Sequence, residues 1–219
     1  MEALYKSSGK LERSRRRIYL DHSLTIKICG ITRIRDATAA KDNGADIIGV
    51  VRAKSSKRFM DAKFSDSLAS MGFNVAGVYD DGEYMKDNFS EEAYIQMHYS
   101  HQPQEISRIR KISGKKIISV IKAANVFDPE FRIEPYVREA DLVLIEQKPR
   151  IITLLADLIP VNVNVGLAGG ITPGDIPEIV RRGFQFVDLS SSLEVSPGIK
   201  DIKMLTRIGE VKSSLESFA

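Results

Sequence analysis

The fold of this chain is decided by the stretch Val163-Asn-Val-Gly-Leu-Ala-Gly-Gly170-Ile-Thr-Pro173. Its apolar part, 163–167, predicts a strand that runs into Gly169 and Gly170, and Pro173 predicts the start of a helix. Because glycine has no Cβ atom, the backbone N–H groups of such a turn can come close to a ligand. The pattern is typical of a phosphate-binding turn, although one glycine taken alone more often makes only a tight turn.

A second predicted strand, over 186–189, runs into Ser190, Ser191 and Ser192. Taken alone, these serines would more often cap a helix than hold a ligand. In succession, the two strand ends direct amide and hydroxyl donors toward one point. A (β/α)₈ barrel holds phosphate in this way, with the loops that follow its strands 7 and 8.

The rest of the chain alternates between strand and helix patterns. Strands are predicted at 25–29, 46–51, 74–79, 93–97, 116–121 and 142–145. Helices are predicted at 34–43, 63–71, 104–112, 130–139, 149–159 and 202–216, with a short helix or a loop over 80–88. Together with the two strands above, this order predicts an α/β protein whose parallel sheet closes into a single (β/α)₈ TIM barrel.

The composition limits the classes of function. Of 219 residues, 43% are hydrophobic and 28% are charged, as in a soluble globular protein. No apolar run approaches the roughly 20 residues of a membrane span, so no membrane partner is expected. The single cysteine excludes an internal disulfide and fits a reducing compartment, which favours a cytoplasmic protein. The histidines and the cysteine show no metal-ligand spacing, so no metal is expected.

The positive charge is concentrated at the N-terminus. Residues 1–24 hold six Lys or Arg against three Asp or Glu, which accounts for the whole formal net charge of +3. We expect a basic, flexible arm over 1–24 and the barrel domain over 25–219. The formally neutral barrel argues against nucleic acid as a partner, because such binding needs clustered cations on a folded surface.

Barrel geometry predicts one polar mouth. Residues at the carboxyl ends of the strands face the active site in this fold, which brings together Cys29, Arg58, Gln96, His98, Glu146, Asp188 and Ser190. A thiol with a lowered pKa acts as a base and a carboxylic acid with a raised pKa acts as an acid, so Cys29 and Glu146 suit proton transfer on a phosphosugar.

Plainer interpretations stay open for these residues. A cysteine taken at random is more often a small buried hydrophobe, and Glu146 has an ordinary strand-end role as its alternative. His98 is open to three roles, acid–base group, hydrogen-bonding support or exposed loop residue, of which we favour support. Lys122 ends strand 5, where a lysine can form a Schiff base, but nothing distinguishes it from a surface lysine. The glycine turn lacks the remaining residues of a dinucleotide fingerprint, so no such cofactor is expected.

Several segments resemble the phosphoribosylanthranilate isomerases of tryptophan biosynthesis. They are Lys27-Ile-Cys-Gly-Ile-Thr32, Gly44-Ala-Asp-Ile-Ile-Gly-Val50, Ser55-Ser-Lys-Arg58, Ile95-Gln-Met-His98, Leu167-Ala-Gly-Gly-Ile171, Val187-Asp-Leu-Ser-Ser-Ser-Leu-Glu194 and Pro197-Gly-Ile-Lys-Asp201. Each motif is modest by itself. All of them in order, from about Thr25 to the C-terminus, are specific to this family.

The resemblance implies an isomerase without cofactor or metal, which converts N-(5-phosphoribosyl)anthranilate to 1-(2-carboxyphenylamino)-1-deoxyribulose 5-phosphate by an Amadori rearrangement. It assigns the general base to Cys29 and the general acid to Glu146, where the family has an aspartate. The further matched residues are Arg58, His98 and Asp188 for substrate, and Gly169, Gly170, Ser190 and Ser191 for phosphate. It implies a small phosphoribosyl substrate and a monomer or homodimer.

Two departures from the family pattern keep a second hypothesis open. Glu146 adds a methylene to the acid, and a displacement of about 1 Å can remove much of the rate. The glycine-rich loop expected after strand 6 is missing, and Lys148 or Arg150 is expected to supply charge there. The alternative is a non-catalytic phosphosugar-binding relative with a degraded acid and phosphate loop. A third candidate, indole-glycerol-phosphate synthase, finds no match here for its catalytic lysines and glutamates.

Overall fold

The computed structural model describes residues 24–217, so the arm expected over 1–24 lies outside the described residues except for Leu24. Eight parallel strands close into a barrel in chain order. They are β1 (Thr25–Cys29), β2 (Ile47–Val51), β3 (Val75–Tyr79), β4 (Tyr94–Met97), β5 (Lys116–Lys122), β6 (Leu142–Glu146), β7 (Val165–Ala168) and β8 (Phe186–Leu189). The predicted (β/α)₈ TIM barrel is confirmed.

Helices surround this barrel. They are α1 (Ile34–Asp42), α2 (Ala62–Ser70), α3 (Gly82–Lys86), α4 (Pro103–Ser113), α5 (Ala123–Val126), α6 (Glu134–Glu139), α7 (Ile176–Arg181) and α8 (Ile202–Glu216). Short 3₁₀ turns lie at Ile151–Leu154, Pro173–Asp175 and Ser191–Leu193. Within 24–217, none of the helices combines the length and the hydropathy needed to cross a lipid bilayer.

The predicted helix over 149–159 was wrong, because only a 3₁₀ turn at Ile151–Leu154 forms there. The apolar spacing behind the prediction is used for burial, since Ile151 and Leu155 are both buried. The backbone, however, is drawn toward β7, because the N–H of Ile151 donates to the C=O of Gly169 at 2.9 Å. A single turn therefore covers β6 and β7 where a full helix was expected.

Strand alternation divides the core into two parts. Residues that point into the barrel form an apolar cluster of Ile47, Ala76, Ile118, Val120, Leu144, Ala168 and Phe186, and residues that point outward pack under the helices in a larger cluster. Gly166 makes room for Phe186, because a Cβ atom at Gly166 would lie 2.3 Å from the carbonyl oxygen and 2.6 Å from the ring atom Cδ1 of Phe186. The apolar layer fills the barrel and leaves polar residues at the carboxyl ends of the strands.

A β-hairpin after β8, which the sequence did not predict, folds back over the end of β1. It consists of β9 (Glu194–Ser196) and β10 (Ile199–Lys200), which pair antiparallel. The C=O of Gly198 accepts a hydrogen bond from Thr32 Oγ1 at 2.5 Å, and the N–H of Lys200 donates to the buried Asp36 carboxylate at 3.0 Å. The hairpin thereby brings charged side chains over the barrel mouth.

Candidate active site

A cavity of about 680 Å³ opens at the carboxyl ends of the strands. Among its lining residues are all nine residues for which the sequence predicted a role, together with Gln96: Cys29, Arg58, His98, Glu146, Gly169, Gly170, Asp188, Ser190 and Ser191. The fold therefore brings these residues to one place. Their roles stay predictions.

Cys29 ends β1 and is 8% exposed, with its side chain on the cavity wall. Burial raises the pKa of the Cys29 thiol, and the nearby Asp188 carboxylate acts in the same direction. The ammonium groups of Lys27 and Lys200 oppose this shift but do not reverse it. This direction is opposite to the lowered thiol pKa that the sequence analysis associated with a base, because the sulfur is buried within the barrel.

Glu146 ends β6 and is 6% exposed. Its Oε2 atom accepts hydrogen bonds from Lys122 Nζ and from His98 Nε2, the latter at 3.1 Å, while Lys148 Nζ lies 3.7 Å from Oε1. Burial by itself would raise the pKa of Glu146, but His98, Lys122 and Lys148 outweigh it and lower the pKa to about 2. This direction is opposite to the raised pKa that the sequence analysis associated with an acid, and it makes Glu146 a carboxylate at neutral pH.

His98 has the contact of a supporting residue, since its ring nitrogen is directed at the Glu146 carboxylate. Lys122, for which the sequence gave no distinguishing feature, contacts the same oxygen. Strand register explains the contact, because Lys122 on β5 pairs with Glu146 on β6. Lys122 and Glu146 lie at the carboxyl ends of neighbouring strands. An alignment of the ends of β5 and β6 would have predicted their contact.

The glycine turn after β7 is shaped by close backbone contacts. Gly169 and Gly170 have φ values of +109° and +61°, which favour glycine. A Cβ atom at Gly169 would lie 2.0 Å from the carbonyl oxygen of Gln147, and one at Gly170 would lie 2.2 Å from that of Pro149. The segment after β6 is thus packed directly against the turn that faces the cavity.

Arg58 approaches the cavity from the segment after β2 and is fixed by Glu194 on the hairpin. Its Nε and Nη2 atoms donate to the two carboxylate oxygens of Glu194, at 2.8 and 2.5 Å. Glu194 Oε1 also accepts from the buried Lys200 ammonium at 2.9 Å, and Lys200 in turn donates to the backbone carbonyl of Cys29 at 2.6 Å. The sequence analysis included Glu194 and Lys200 in the family motifs but predicted no role for them, and it missed this network.

Asp188 ends β8 and pairs with a lysine inside the barrel. Its Oδ2 atom accepts a hydrogen bond from Lys27 Nζ at 2.9 Å. Its Oδ1 atom is buried and has no hydrogen-bond partner within the described part of the chain. Because Asp188 lines the cavity, this oxygen is available to accept an N–H or O–H group of a bound molecule.

The fold and the site define a class. A closed (β/α)₈ barrel with a glycine turn after β7, serines after β8, and a thiol and a carboxylate on the wall of one cavity is an enzyme scaffold for phosphorylated small molecules. Residues 24–217 contain no cluster of His, Cys, Asp or Glu side chains that could hold a metal ion. The sequence profile of N-(5'-phosphoribosyl)anthranilate isomerases matches residues 26–211, and the chain belongs to this family.

Individual relatives agree with that membership. The N-(5'-phosphoribosyl)anthranilate isomerase of Thermoplasma volcanium is 39% identical over 177 residues, which cover 81% of this chain and 90% of that protein. The solved phosphoribosyl anthranilate isomerase of Thermus thermophilus is similar with a TM-score of 0.69 at 24% identity, over 88% of this chain and 100% of that one.

A further solved isomerase was crystallised with reduced 1-(o-carboxyphenylamino)-1-deoxyribulose 5-phosphate. It has a TM-score of 0.69 at 23% identity and covers 87% of this chain and 99% of its own. At these identities, the two solved structures show the shared fold.

Proposed function

We infer that this chain is a phosphoribosylanthranilate isomerase of tryptophan biosynthesis. It converts N-(5-phosphoribosyl)anthranilate to 1-(2-carboxyphenylamino)-1-deoxyribulose 5-phosphate, an Amadori rearrangement that needs only proton transfers. The observation that carries this proposal, beside the family match over 26–211, is the single cavity lined by both Cys29 and Glu146. The enzyme acts in the cytoplasm on a small phosphosugar, as a monomer or a homodimer.

Glu146 is the general acid of the first step. It delivers a proton to the ribose ring oxygen, which leaves C1 with the electron pair of the C–O bond, and the anthranilate nitrogen lone pair closes a C1=N iminium. Cys29, as thiolate, then removes the proton from C2. The C2–H electron pair forms a C1=C2 bond and neutralises the iminium nitrogen, giving an enolamine that tautomerises to the ketone.

The pKa directions favour the opposite protonation states, a Cys29 thiol and a Glu146 carboxylate. The substrate carries a phosphate and an anthranilate carboxylate, and this added negative charge raises the pKa of a nearby carboxyl group. His98 and Lys122 donate hydrogen bonds to Glu146 Oε2 and orient its carboxyl group in the cavity. Glu146 is thus protonated in the complex with substrate.

The phosphate is held by the backbone at Gly169 and Gly170 and by Ser190 and Ser191. Lys148 supplies the positive charge that the short segment after β6 would otherwise lack, because its side chain is 72% exposed and lines the same cavity. Arg150 is a poorer candidate, since its guanidinium is paired with the carboxylate of Asp175 at 2.8 Å.

Lys148→Met is expected to raise KM about fivefold, because an exposed cation contributes on the order of 1 kcal/mol to a charge interaction. The same variant is also expected to change kcat, because Lys148 Nζ lies 3.7 Å from Glu146 Oε1 and its loss raises the pKa of the acid. Arg150→Met is the matched control and should leave KM within twofold. Steady-state kinetics at low ionic strength measure both, and an equal rise of KM in the two variants would contradict the assignment to Lys148.

Glu194→Gln is expected to raise KM by about tenfold, because it leaves Arg58 without the charged partner that orients its guanidinium toward the anthranilate side. Glu178→Gln is the control, since Glu178 pairs with Arg181 and Arg182 on the exposed face of α7. An unchanged KM in Glu194→Gln, with thermal unfolding unaltered, would remove Glu194 from substrate binding.

Turnover by the purified chain separates the isomerase from a non-catalytic phosphosugar-binding relative. The loss of substrate fluorescence from the anthranilate group measures the reaction directly. A non-catalytic relative would bind the product analogue yet leave this fluorescence constant. Growth of a tryptophan auxotroph that lacks the isomerase, when it carries this chain, tests the same activity in a cell.

A further inference from the structure

Lys27 is a lysine inside the barrel that no step above uses. It lies on β1 two residues before Cys29, so both side chains point to the same face of the sheet, into the barrel. Lys27 is 0% exposed. Burial of an ammonium group costs much free energy unless anions surround it. The groups next to Lys27 therefore indicate its role.

Two groups that carry or can acquire a negative charge lie next to Lys27 Nζ. The Asp188 carboxylate is one of them, at 2.9 Å, and the Cys29 sulfur is the other. Gly49 on the neighbouring strand makes the room, because a Cβ atom there would lie 2.8 Å from Lys27 Nζ and 2.9 Å from Cys29 Sγ. The ammonium and the sulfur therefore border the same small space.

We propose that Lys27 is a positioning residue for the base: its ammonium group stabilises the thiolate form of Cys29, the form that removes the C2 proton. The proposal rests on the proposed function of Cys29. Burial disfavours a negative sulfur, and a fixed ammonium beside it offsets that cost without giving up its own proton. Lys27 stays charged because Asp188 and Cys29 outweigh the effect of burial and raise its pKa.

Three other charged groups, Asp188, Lys200 and Arg58, lie near Cys29. Asp188 on β8 opposes the thiolate, while Lys200 on β10 favours it. Lys200 Nζ, however, donates to Glu194 Oε1 and to the backbone carbonyls of Cys29 and Ser190, so its hydrogen bonds are directed away from the sulfur. Arg58 is also near the sulfur, but its guanidinium is held by Glu194. Lys27 is thus the cation placed to act on the sulfur itself.

The test uses the fact that Cys29 is the only cysteine of the chain. Iodoacetamide reacts with the thiolate, so the alkylation rate as a function of pH reports the thiol pKa without any turnover. Lys27→Met is expected to move the midpoint to higher pH and to slow alkylation about tenfold or more at a fixed pH below it. Lys122→Met, which removes a lysine of the same mouth that contacts Glu146, should leave the alkylation profile unchanged.

Two further variants separate this role from simple pairing with Asp188. Asp188→Asn alone is expected to lower the midpoint, because it removes the opposing charge. The double variant Lys27→Met/Asp188→Asn, which leaves no unpaired buried charge, is expected to have a midpoint above that of Asp188→Asn alone. Equal midpoints in the double variant and in Asp188→Asn would overturn the proposal and leave Lys27 as a counterion of Asp188.

The alkylation experiment also distinguishes this inference from the proposed function. A shifted midpoint in a protein that never turns over phosphoribosylanthranilate would support the action of Lys27 on the thiol and refute the role of Cys29 as base. If Lys27→Met does not fold, as judged by far-UV circular dichroism, the double variant compared with Asp188→Asn alone gives the same answer.

Discussion

Replacement of Cys29 by alanine is expected to lower kcat at least about 1000-fold, because general base catalysis commonly supplies a factor of this size. Cys29 lines the cavity with 8% of its surface exposed, so alanine leaves a small gap at the cavity wall and the barrel core intact. Fluorescence decay of the substrate at high enzyme concentration measures the residual rate.

The control for Cys29→Ala is binding of the reduced product analogue, which should stay within about threefold of the native affinity because phosphate and anthranilate contacts come from other residues. Cys29→Ser is a stricter comparison, since it replaces the ionisable thiol with a hydroxyl group of similar size. Activity above a tenth of the native rate in either variant would show that the base lies elsewhere.

Replacement of Glu146 by glutamine should reduce kcat by about 100-fold or more, since the amide keeps the size of the side chain but cannot deliver the proton to the ring oxygen. KM is expected to change little, because Glu146 is assigned to the transition state of ring opening. Near-native kcat would contradict the assignment. Glu139→Gln, which lies at the end of α6 away from the cavity, is a control of the same chemical change.

Glu146→Asp gives a second, independent measurement. It restores the family's residue but withdraws the carboxyl group by one methylene from His98 and Lys122, which meet it at Oε2. A loss of about tenfold in kcat is expected, because displacements near 1 Å are costly in proton transfer. A kcat equal to that of the native protein would show that the shorter side chain of aspartate also reaches the ring oxygen from this backbone position.

The architecture was readable from local patterns. The first strand and the last helix form at the bounds that the sequence predicted, Thr25–Cys29 and Ile202–Glu216. Apolar runs that end in polar residues placed the carboxyl ends of the strands to within one residue, because the strands leave the apolar layer of the barrel at their ends. The helix predicted over 130–139 forms only at Glu134–Glu139. Two larger failures, the missing helix over 149–159 and the unforeseen hairpin from Glu194 to Lys200, lie where long-range contacts decide the backbone.

The sequence by itself determined the barrel, the family and the residues that line its mouth, because strand period and motif order are local properties. Only the tertiary structure decided the charge on those residues. Lys27 and Asp188 are 161 residues apart in the chain, and Arg58 and Glu194 are 136 apart, yet each pair is in hydrogen-bond contact. A pKa depends on burial and on neighbours within a few ångströms, and these neighbours are set by closure of the barrel.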